Sequence, residues 1–337
     1  MITRSHAHTF TRSHAHWIDW FRKFLELPSG IPSHDTFGRV FSRLDPKAFE
    51  ACFRSWIEAL AEEAVTGVVA IDGKSVRGSF DAASGKSQLH MVSAFSASSG
   101  LCLGQEATDA KSNEITAIPA LLKTLALKGC IVTIDAMGCQ KDIAKSIVAD
   151  AKADYVLALK GNQGTFHQDV KDYFEGPNAP WQTFPHTVFE ETDKGHGRIE
   201  IRKVVATENI QWISQRKEWR GLTSIAMVQS TRIIGEKETI ENRYYISSLP
   251  GNAAKIGSAI RQHWAIENRL HWCLDVTFND DGSRIRKDYA PQNMTVLRRL
   301  AVNLLRKLEL GPKKVSLRGR IIMANHNSEF ILKALGF

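Results

Sequence analysis

The chain has 337 residues, 43% hydrophobic and 24% charged, which is enough for one large domain or two ordinary ones around a sizeable core. Its formal net charge of +8 attracts phosphate backbones, although a basic surface alone does not establish a nucleic-acid partner. No run of about 18 apolar residues is present and no apolar segment follows the His- and Arg-rich start, so the chain reads as neither membrane-spanning nor secreted.

The string TRSHAH occurs twice in the first 16 residues and brings in His6, His8, His14 and His16, which read as a local duplication in a disordered tail. Residues 17–65 carry helical spacing. Trp17, Trp20, Phe21, Phe24 and Leu25 open the stretch, and Pro28, Gly30 and Pro32 interrupt it. Ser33 or Asp35 caps a second helix with Phe37, Val40, Phe41 and Leu44. A third runs over about 46–64. From residue 67 the pattern predicts strands at 67–71, 89–96 and 101–108, a helix at 114–127, a strand at 130–134, a helix at 141–151 and a strand at 155–159. This β-β-β-α-β-α-β order implies a mixed sheet with helices on its faces, an α/β fold. Residues 164–250 read as mostly β, with strands at 187–191, 199–206, 222–234 and 244–248. Helices follow at 252–275 and 292–308, and the end of the chain from Gly311 is basic, with Lys313, Lys314, Arg318 and Arg320. Cys52, Cys102, Cys130, Cys139 and Cys273 form no CxxC pair and read as small apolar side chains in a reducing cytoplasm.

Two acids occupy matching places. Asp72 follows Val-Val-Ala-Ile and Asp135 follows Ile-Val-Thr-Ile, each the first polar residue after a buried-looking strand. Ligands bind outside the carboxyl ends of central strands, so neighbouring strands of this kind put both carboxylates within reach of one cation. Projection of 255–274 as an α-helix places Ile256, Ile260, His263, Trp264, Leu270, His271 and Leu274 on one face with Glu267 in its middle. A carboxylate buried there needs a metal or a salt bridge, and Arg243 and Arg261 are the candidate bridge partners. Hard oxygen ligands suit Mg²⁺ or Mn²⁺, and two such ions activate a water or 3′-hydroxyl at a phosphodiester. Lys74, Arg77 and Lys160 follow strand ends and are candidate phosphate contacts, with His263 and His271 as supporting partners of Glu267.

Several strings taken together resemble the H-repeat-associated insertion-sequence transposases of the DDE superfamily. They are Ile31-Pro32-Ser33-His34-Asp35-Thr36-Phe37, Ile71-Asp72-Gly73-Lys74 with Arg77-Gly78-Ser79, Thr133-Ile134-Asp135-Ala136, Leu159-Lys160-Gly161-Asn162-Gln163, His196-Gly197-Arg198-Ile199-Glu200, Tyr244-Tyr245-Ile246-Ser247-Ser248-Leu249 and His263-Trp264-Ala265-Ile266-Glu267-Asn268 with Leu270-His271-Trp272. The resemblance runs from about residue 27 to the C-terminal region. It implies a ribonuclease-H-like mixed sheet with flanking helices, a β-rich insertion at 164–250 before the Glu helix and a small helical module at 27–66. The catalytic domain then covers 67–310, between a variable N-terminus at 1–26, disordered or truncated relative to the family, and a basic tail at 311–337.

The resemblance further implies that Asp72, Asp135 and Glu267 are the catalytic, metal-binding triad, holding two Mg²⁺ or Mn²⁺ ions. The expected activity is metal-dependent cleavage at insertion-sequence ends and strand transfer into target DNA, by a homodimer on DNA in the nucleoid-bearing bacterial cytoplasm. In a broader group of such enzymes a Tyr, an Arg and a Lys flank the Glu on its helix. Ile260, His263 and Leu274 hold those places here, so basic contacts to DNA are expected from Arg261, Arg269 or Lys160. The alternatives are a ribonuclease-H-like nuclease without strand transfer and an inactive DNA-binding relic of a decayed element.

Overall fold

The computed structural model describes residues 18–60, 65–81, 85, 87–108, 114–177, 179–195, 197–310 and 315–336. The TRSHAH duplication, Lys313 and Lys314 lie outside them. After a helical turn at 18–21, the helices α1 (His34–Arg43) and α2 (Pro46–Leu60) precede a nine-stranded sheet. Ser33 caps α1, its hydroxyl accepting the Thr36 N–H. Three strands follow, β1 (Val68–Val76), β2 (Leu89–Ser96) and β3 (Cys102–Ala107). Helix α3 (Glu114–Leu122), strand β4 (Ile131–Ile134), helix α4 (Lys141–Lys145, prolonged by a π-helical turn to Asp150) and strand β5 (Asp154–Leu159) complete the first half.

The stretch expected to be mostly β begins instead with a helix, α5 (Thr165–Glu175). Its buried Phe166, Val170, Tyr173 and Phe174 have helical spacing, a signal masked by Gly161, Gly164 and Gly176 on its flanks. Two long hairpins follow: β6 (Thr187–Gly195) with β7 (Arg198–Thr207), and β8 (Ser224–Ile234) with β9 (Lys237–Ser247). They form no separate sheet. Strand β9 pairs antiparallel with β5, so the order is β3-β2-β1-β4-β5-β9-β8-β7-β6. Helix α6 (Ala253–Ala265) continues as two π-helical segments, Ile266–His271 and Cys273–Thr277, ahead of α7 (Ala290–Lys307). The basic tail contains two further helices, α8 (Leu317–His326) and α9 (Ser328–Leu335), which pack through Leu317, Ile321 and Phe330 against Leu305 and Leu308.

Alternation along the strands decides which side chains meet which helices. Val69 and Ile71 join Val92, Val132, Ile134 and Leu157 under α3, α4 and α5. Val68 and Ala70 face the other way, toward Ile256, Ala259, Ile266, Leu270 and Leu274 of the α6 helix and its continuation. Asp72, two residues on from Ala70, therefore points at that helix and not at α3.

The edge strand β3 and the N-terminal helices are tied in by polar side chains. Asn303 of α7 accepts the Cys102 N–H at 2.9 Å and donates to the Cys102 carbonyl at 2.8 Å, closing the free edge as a neighbouring strand would. Glu50 of α2 accepts the Gln105 N–H at 3.1 Å, and Gln105 donates to Thr295 at 2.8 Å. Asn293 donates to the carbonyls of Phe41 and Leu44 at the end of α1. Burial pushes the Glu50 carboxyl up to about 7, against lowering by the Gln105 N–H and the charges of Arg54 and Arg299. A carboxyl raised on folding binds more protons in the native state, so its stabilisation is full below its unfolded value of 4.5 and is lost as pH rises through about 7. We predict that this group alone removes about 3 kcal/mol of unfolding free energy over that interval. Glu50→Gln flattens the slope in urea melts between pH 4.5 and 7, and an unchanged slope refutes the assignment.

All five cysteines are free; Cys102, Cys130, Cys139 and Cys273 are buried, whereas Cys52 is exposed, unlike the small buried apolar side chain its sequence context suggests. No helix among the described residues is long and apolar enough to cross a membrane.

Candidate active site

Parallel pairing of β1 with β4 runs from Val68↔Ile131 to Ile71↔Ile134 and stops there. Asp72 and Asp135 are the next residues on the two strands, side by side at the point where the ladder opens. The sequence places Asp72 at a strand end, but β1 continues to Val76 through its pairing with β2, so Asp72 sits mid-strand and is held on its other side by Ser93. The Asp135 carboxylate accepts the N–H groups of Met137 (3.0 Å) and Gly138 (3.4 Å), which turns the chain away after β4.

Glu267 differs from its projection. Its side chain is 53% exposed, not buried in an apolar stripe. The α-helical register ends at Ala265 and a π-helical segment follows, so the buried residues are Ile266, Leu270, His271 and Leu274. The wider turn rotates Glu267 out to the rim of a cleft; such segments recur at functional sites. Among the described residues no lysine or arginine bridges it. Arg243 pairs with Glu241 at 2.8 and 3.0 Å, and Arg261 with Glu191 and Asp193 at 3.6 and 3.3 Å.

The three carboxylates line one cleft of about 580 Å³ over the middle of β1 and the ends of β4 and β5, together with Lys160, Arg243, Tyr245, His263 and Trp264. Ligand atoms of Asp72, Glu267 and His271 lie within 4.8 Å of one another. His271 Nδ1 stands 3.5 Å from Asp72 and 3.7 Å from Glu267, while its buried Nε2 has no hydrogen-bond partner among the described residues. Burial comes first in raising the Asp72 carboxyl far above the usual range, followed by the charge of Glu267, their shared hydrogen bond and the charge of Asp135. The His271 imidazole, then the shared hydrogen bond with Asp72, hold Glu267 low against its partial burial. Burial also lowers His263 and His271, which favours neutral rings. His263 Nδ1 lies 3.0 Å from the Thr133 hydroxyl. Among the described residues no Lys or Arg pairs with Asp72, Asp135 or Glu267. A set of crowded hard oxygen donors with unbalanced negative charge fits a divalent cation.

On the opposite face of β1, the backbone beside Asp72 is closely roofed. His90 Nε2 lies 2.6 Å from Glu114 Oε1, and His90 Nδ1 lies 2.9 Å from the Ser75 hydroxyl. A Cβ on Gly73 would stand 2.0 Å from Glu114 Oε1 and 2.4 Å from His90 Nε2. Gly73→Ala must therefore displace the His90–Glu114 pair or push β1, and Asp72 with it, toward α6. The expected result is a loss of about 1–3 kcal/mol in stability, the cost of overpacking, with a fall in activity beyond what the unfolded fraction explains. Denaturant melts paired with activity at a fully folded temperature check this, and a wild-type rate in that assay contradicts it.

The other candidate cations are dispersed. Lys74 is nearly buried, 2.6 Å from Asp275 and 3.3 Å from Asp281, so it braces the segment after the Glu267 helix and is not presented to a ligand. Arg77 is 76% exposed and 3.5 Å from Asp281. Arg261 faces β6. Arg269 reaches the other side of its helix and donates to the Ala97 carbonyl at 2.8 Å. Of the five, only Lys160 lines the cleft. Arg243, Tyr245 and Trp264 also line it; the sequence offers Arg243 only as a salt-bridge partner for Glu267, and it reaches the cleft because β9 pairs with β5, a long-range pairing that no local pattern signals.

A family model described as "Transposase DDE domain" matches residues 63–304, well over half of the chain. The chain belongs to the DDE transposase family. A second model, "DDE_Tnp_1-associated", matches residues 5–57. The transposase is 44% identical to "Putative transposase YncI" of Escherichia coli O157:H7 over 86% of this chain and 74% of that one. It is 41% identical to "H repeat-associated putative transposase YhhI" of Escherichia coli strain K12 over 86% and 77%. A much looser likeness, TM-score 0.39 at 12% identity, is to a chain of the piggyBac transposase synaptic complex with hairpin DNA; it covers 80% of this chain and 54% of that one and adds no weight. Family membership makes the transposase an enzyme of DNA phosphodiester chemistry, in a family generally dependent on divalent metal.

Proposed function

We propose that Asp72, Asp135 and Glu267 are the catalytic triad of this transposase, that they hold two Mg²⁺ or Mn²⁺ ions, and that the enzyme cuts DNA at insertion-sequence ends and joins the freed 3′-hydroxyl to target DNA. The observation that carries this reading is that the three carboxylates line one cleft and, among the described residues, pair with no lysine or arginine. In this reading β3-β2-β1-β4-β5 form a ribonuclease-H-like core within 67–310. The residues 164–250 extend that sheet, and 27–66 form a helical module docked on α7.

Divalent ions bound there supply the charge that activates a water or hydroxyl and stabilises the leaving oxygen. The protein's own residues do the rest. Asp72, raised by burial and by Glu267, would lose its proton to solvent and would serve as an anionic ligand with Glu267 if a divalent cation were held there. Asp135 is fixed by its two backbone N–H bonds. Lys160 and Arg243 stand on the far wall of the cleft, placed to hold phosphate oxygens while the reacting groups align. His271, between Asp72 and Glu267, orients both, while His263 is held at the cleft wall by the Thr133 hydroxyl. Two ends held together require two copies of the chain, so the working form is a homodimer on DNA.

The test uses pre-cut end duplexes with a supercoiled target. Mg²⁺-dependent joining of the 3′ end to target DNA is the expected result. Cleavage of uncut ends without joining would instead support a nuclease that lacks strand transfer.

A further inference from the structure

A second cavity, of about 370 Å³, lies on the other side of the helix that carries Glu267. It is walled by the turn after β2, the π-helical segments, the end of α7 and the start of α8. Arg269, Arg306 and Arg320 all line it, with Asn268 and Trp272 at its mouth. Trp272 is 57% exposed, unusual for so large an apolar ring.

The three guanidinium groups are fixed by neutral acceptors only. Arg269 donates to the Ala97 carbonyl at 2.8 Å and Arg306 to the Gly100 carbonyl at 2.8 Å; both sit over the Phe95 ring, at 5.7 and 5.5 Å. Arg306 also reaches Cys273 Sγ. Arg320 donates to the carbonyls of Leu305 and Leu308, closing the C-terminal end of α7, and to that of Val315. Among the described residues no carboxylate pairs with any of the three. Arg306 is lowered by burial and by the neighbouring charge of Arg269. Holding like charges together in a cavity costs free energy that an anion recovers, and each planar fork matches two phosphate oxygens. An exposed indole at the rim is a stacking platform for an unpaired base.

We propose that this cavity is a second nucleic-acid site, binding one phosphodiester on Arg269, Arg306 and Arg320 with the adjoining unpaired base stacked on Trp272. It rests on the reading of the chain as a DNA-cutting and DNA-joining enzyme. It explains why Arg269, though only two residues from Glu267, is absent from the acid cleft: one helix presents a metal-binding carboxylate on one side and a strand-holding surface on the other. The strand has two possible sources, the DNA flanking the element end and the target.

The experiment uses the full chain with Mg²⁺-dependent end cleavage as the control for the underlying reading; a wild-type protein that neither cuts nor joins overturns that reading by itself. Binding of a fluorescein-labelled 20-nucleotide single strand is then compared across wild type, Trp272→Ala, Trp272→Phe and Arg269→Gln, each checked by its melting temperature. Loss of one stacked base weakens binding by about fivefold to a hundredfold in Trp272→Ala, and Trp272→Phe restores most of it. A wild-type complex carrying 5-iododeoxyuridine, which needs no variant, yields a photo-crosslink to the peptide containing Trp272. Weakened binding of a flanked end duplex assigns the strand to the element flank. Normal end binding with impaired joining assigns it to the target. Cutting by wild type together with unaltered single-strand binding in all variants, or crosslinks confined to the acid cleft, overturns the second site.

Discussion

Glu267→Gln is expected to lower Mg²⁺-dependent DNA cleavage by on the order of 10³-fold or more, the scale on which loss of a charge-stabilising group at the reacting centre is felt. DNA binding is expected to remain close to wild type, because phosphate contacts come from basic side chains that the substitution leaves in place. Stability is informative as well. A carboxylate buried in an apolar stripe, as a plain helical projection has it, would leave a large mark on the melting curve when replaced. At 53% exposure on the cleft rim, Glu267 predicts a change within about 0.5 kcal/mol. Cleavage at the wild-type rate would remove Glu267 from the chemistry. Cleavage lost together with several kcal/mol of stability would return it to a structural role.

The sequence made the two aspartates legible because they depend on local pattern. Each ends a short run of buried residues, and the period of two in β1 and β4 sends Asp72 and Asp135 to the same face once the strands are neighbours. The sheet that makes them neighbours follows from the β-β-β-α-β order. Glu267 was legible as a residue but not in its environment, because projection assumes a constant 100° step and the π-helical segment at Ile266–His271 breaks that step at the residue that matters. The pairing of β9 with β5 joins residues about 90 positions apart and left no trace in any short window. Without it, Tyr245 has no reason to be counted with the acids, and Arg243 could be offered only as a salt-bridge partner of Glu267, whereas it pairs with Glu241. Lys74 shows the opposite error. Its place in the Asp72-Gly73-Lys74 string makes it a candidate phosphate contact, yet the ion pairs with Asp275 and Asp281 turn it to bracing.

Asp72→Asn is expected to abolish activity and, in the absence of metal, to make the protein more stable. Native Asp72 is raised to about 8 by burial and by its carboxylate neighbours, against 3.8 for a free side chain. The native state therefore binds more protons than the unfolded chain across that interval, and the stabilisation present below pH 3.8 is lost as pH rises through about 8. An asparagine has no proton to lose, and its amide still donates to Glu267. In chelator the variant should match wild type near pH 4 and exceed it by a few kcal/mol, as an order of magnitude, at pH 8. Divalent metal reverses the ranking. Wild type at 100 times its dissociation constant for Mn²⁺ gains about 2.7 kcal/mol, whereas the variant has lost an anionic ligand and gains little. Urea melts at the two pH values, with chelator and with Mn²⁺, measure all four corners. Equal stability of the two proteins at pH 8 in chelator would mean that the carboxylates are not crowded, and no gain from Mn²⁺ in wild type would mean that their crowding does not serve a cation. On the proposed reading the crowded acids would cost the metal-free enzyme stability that a bound cation would restore, in keeping with their pairing with no lysine or arginine among the described residues.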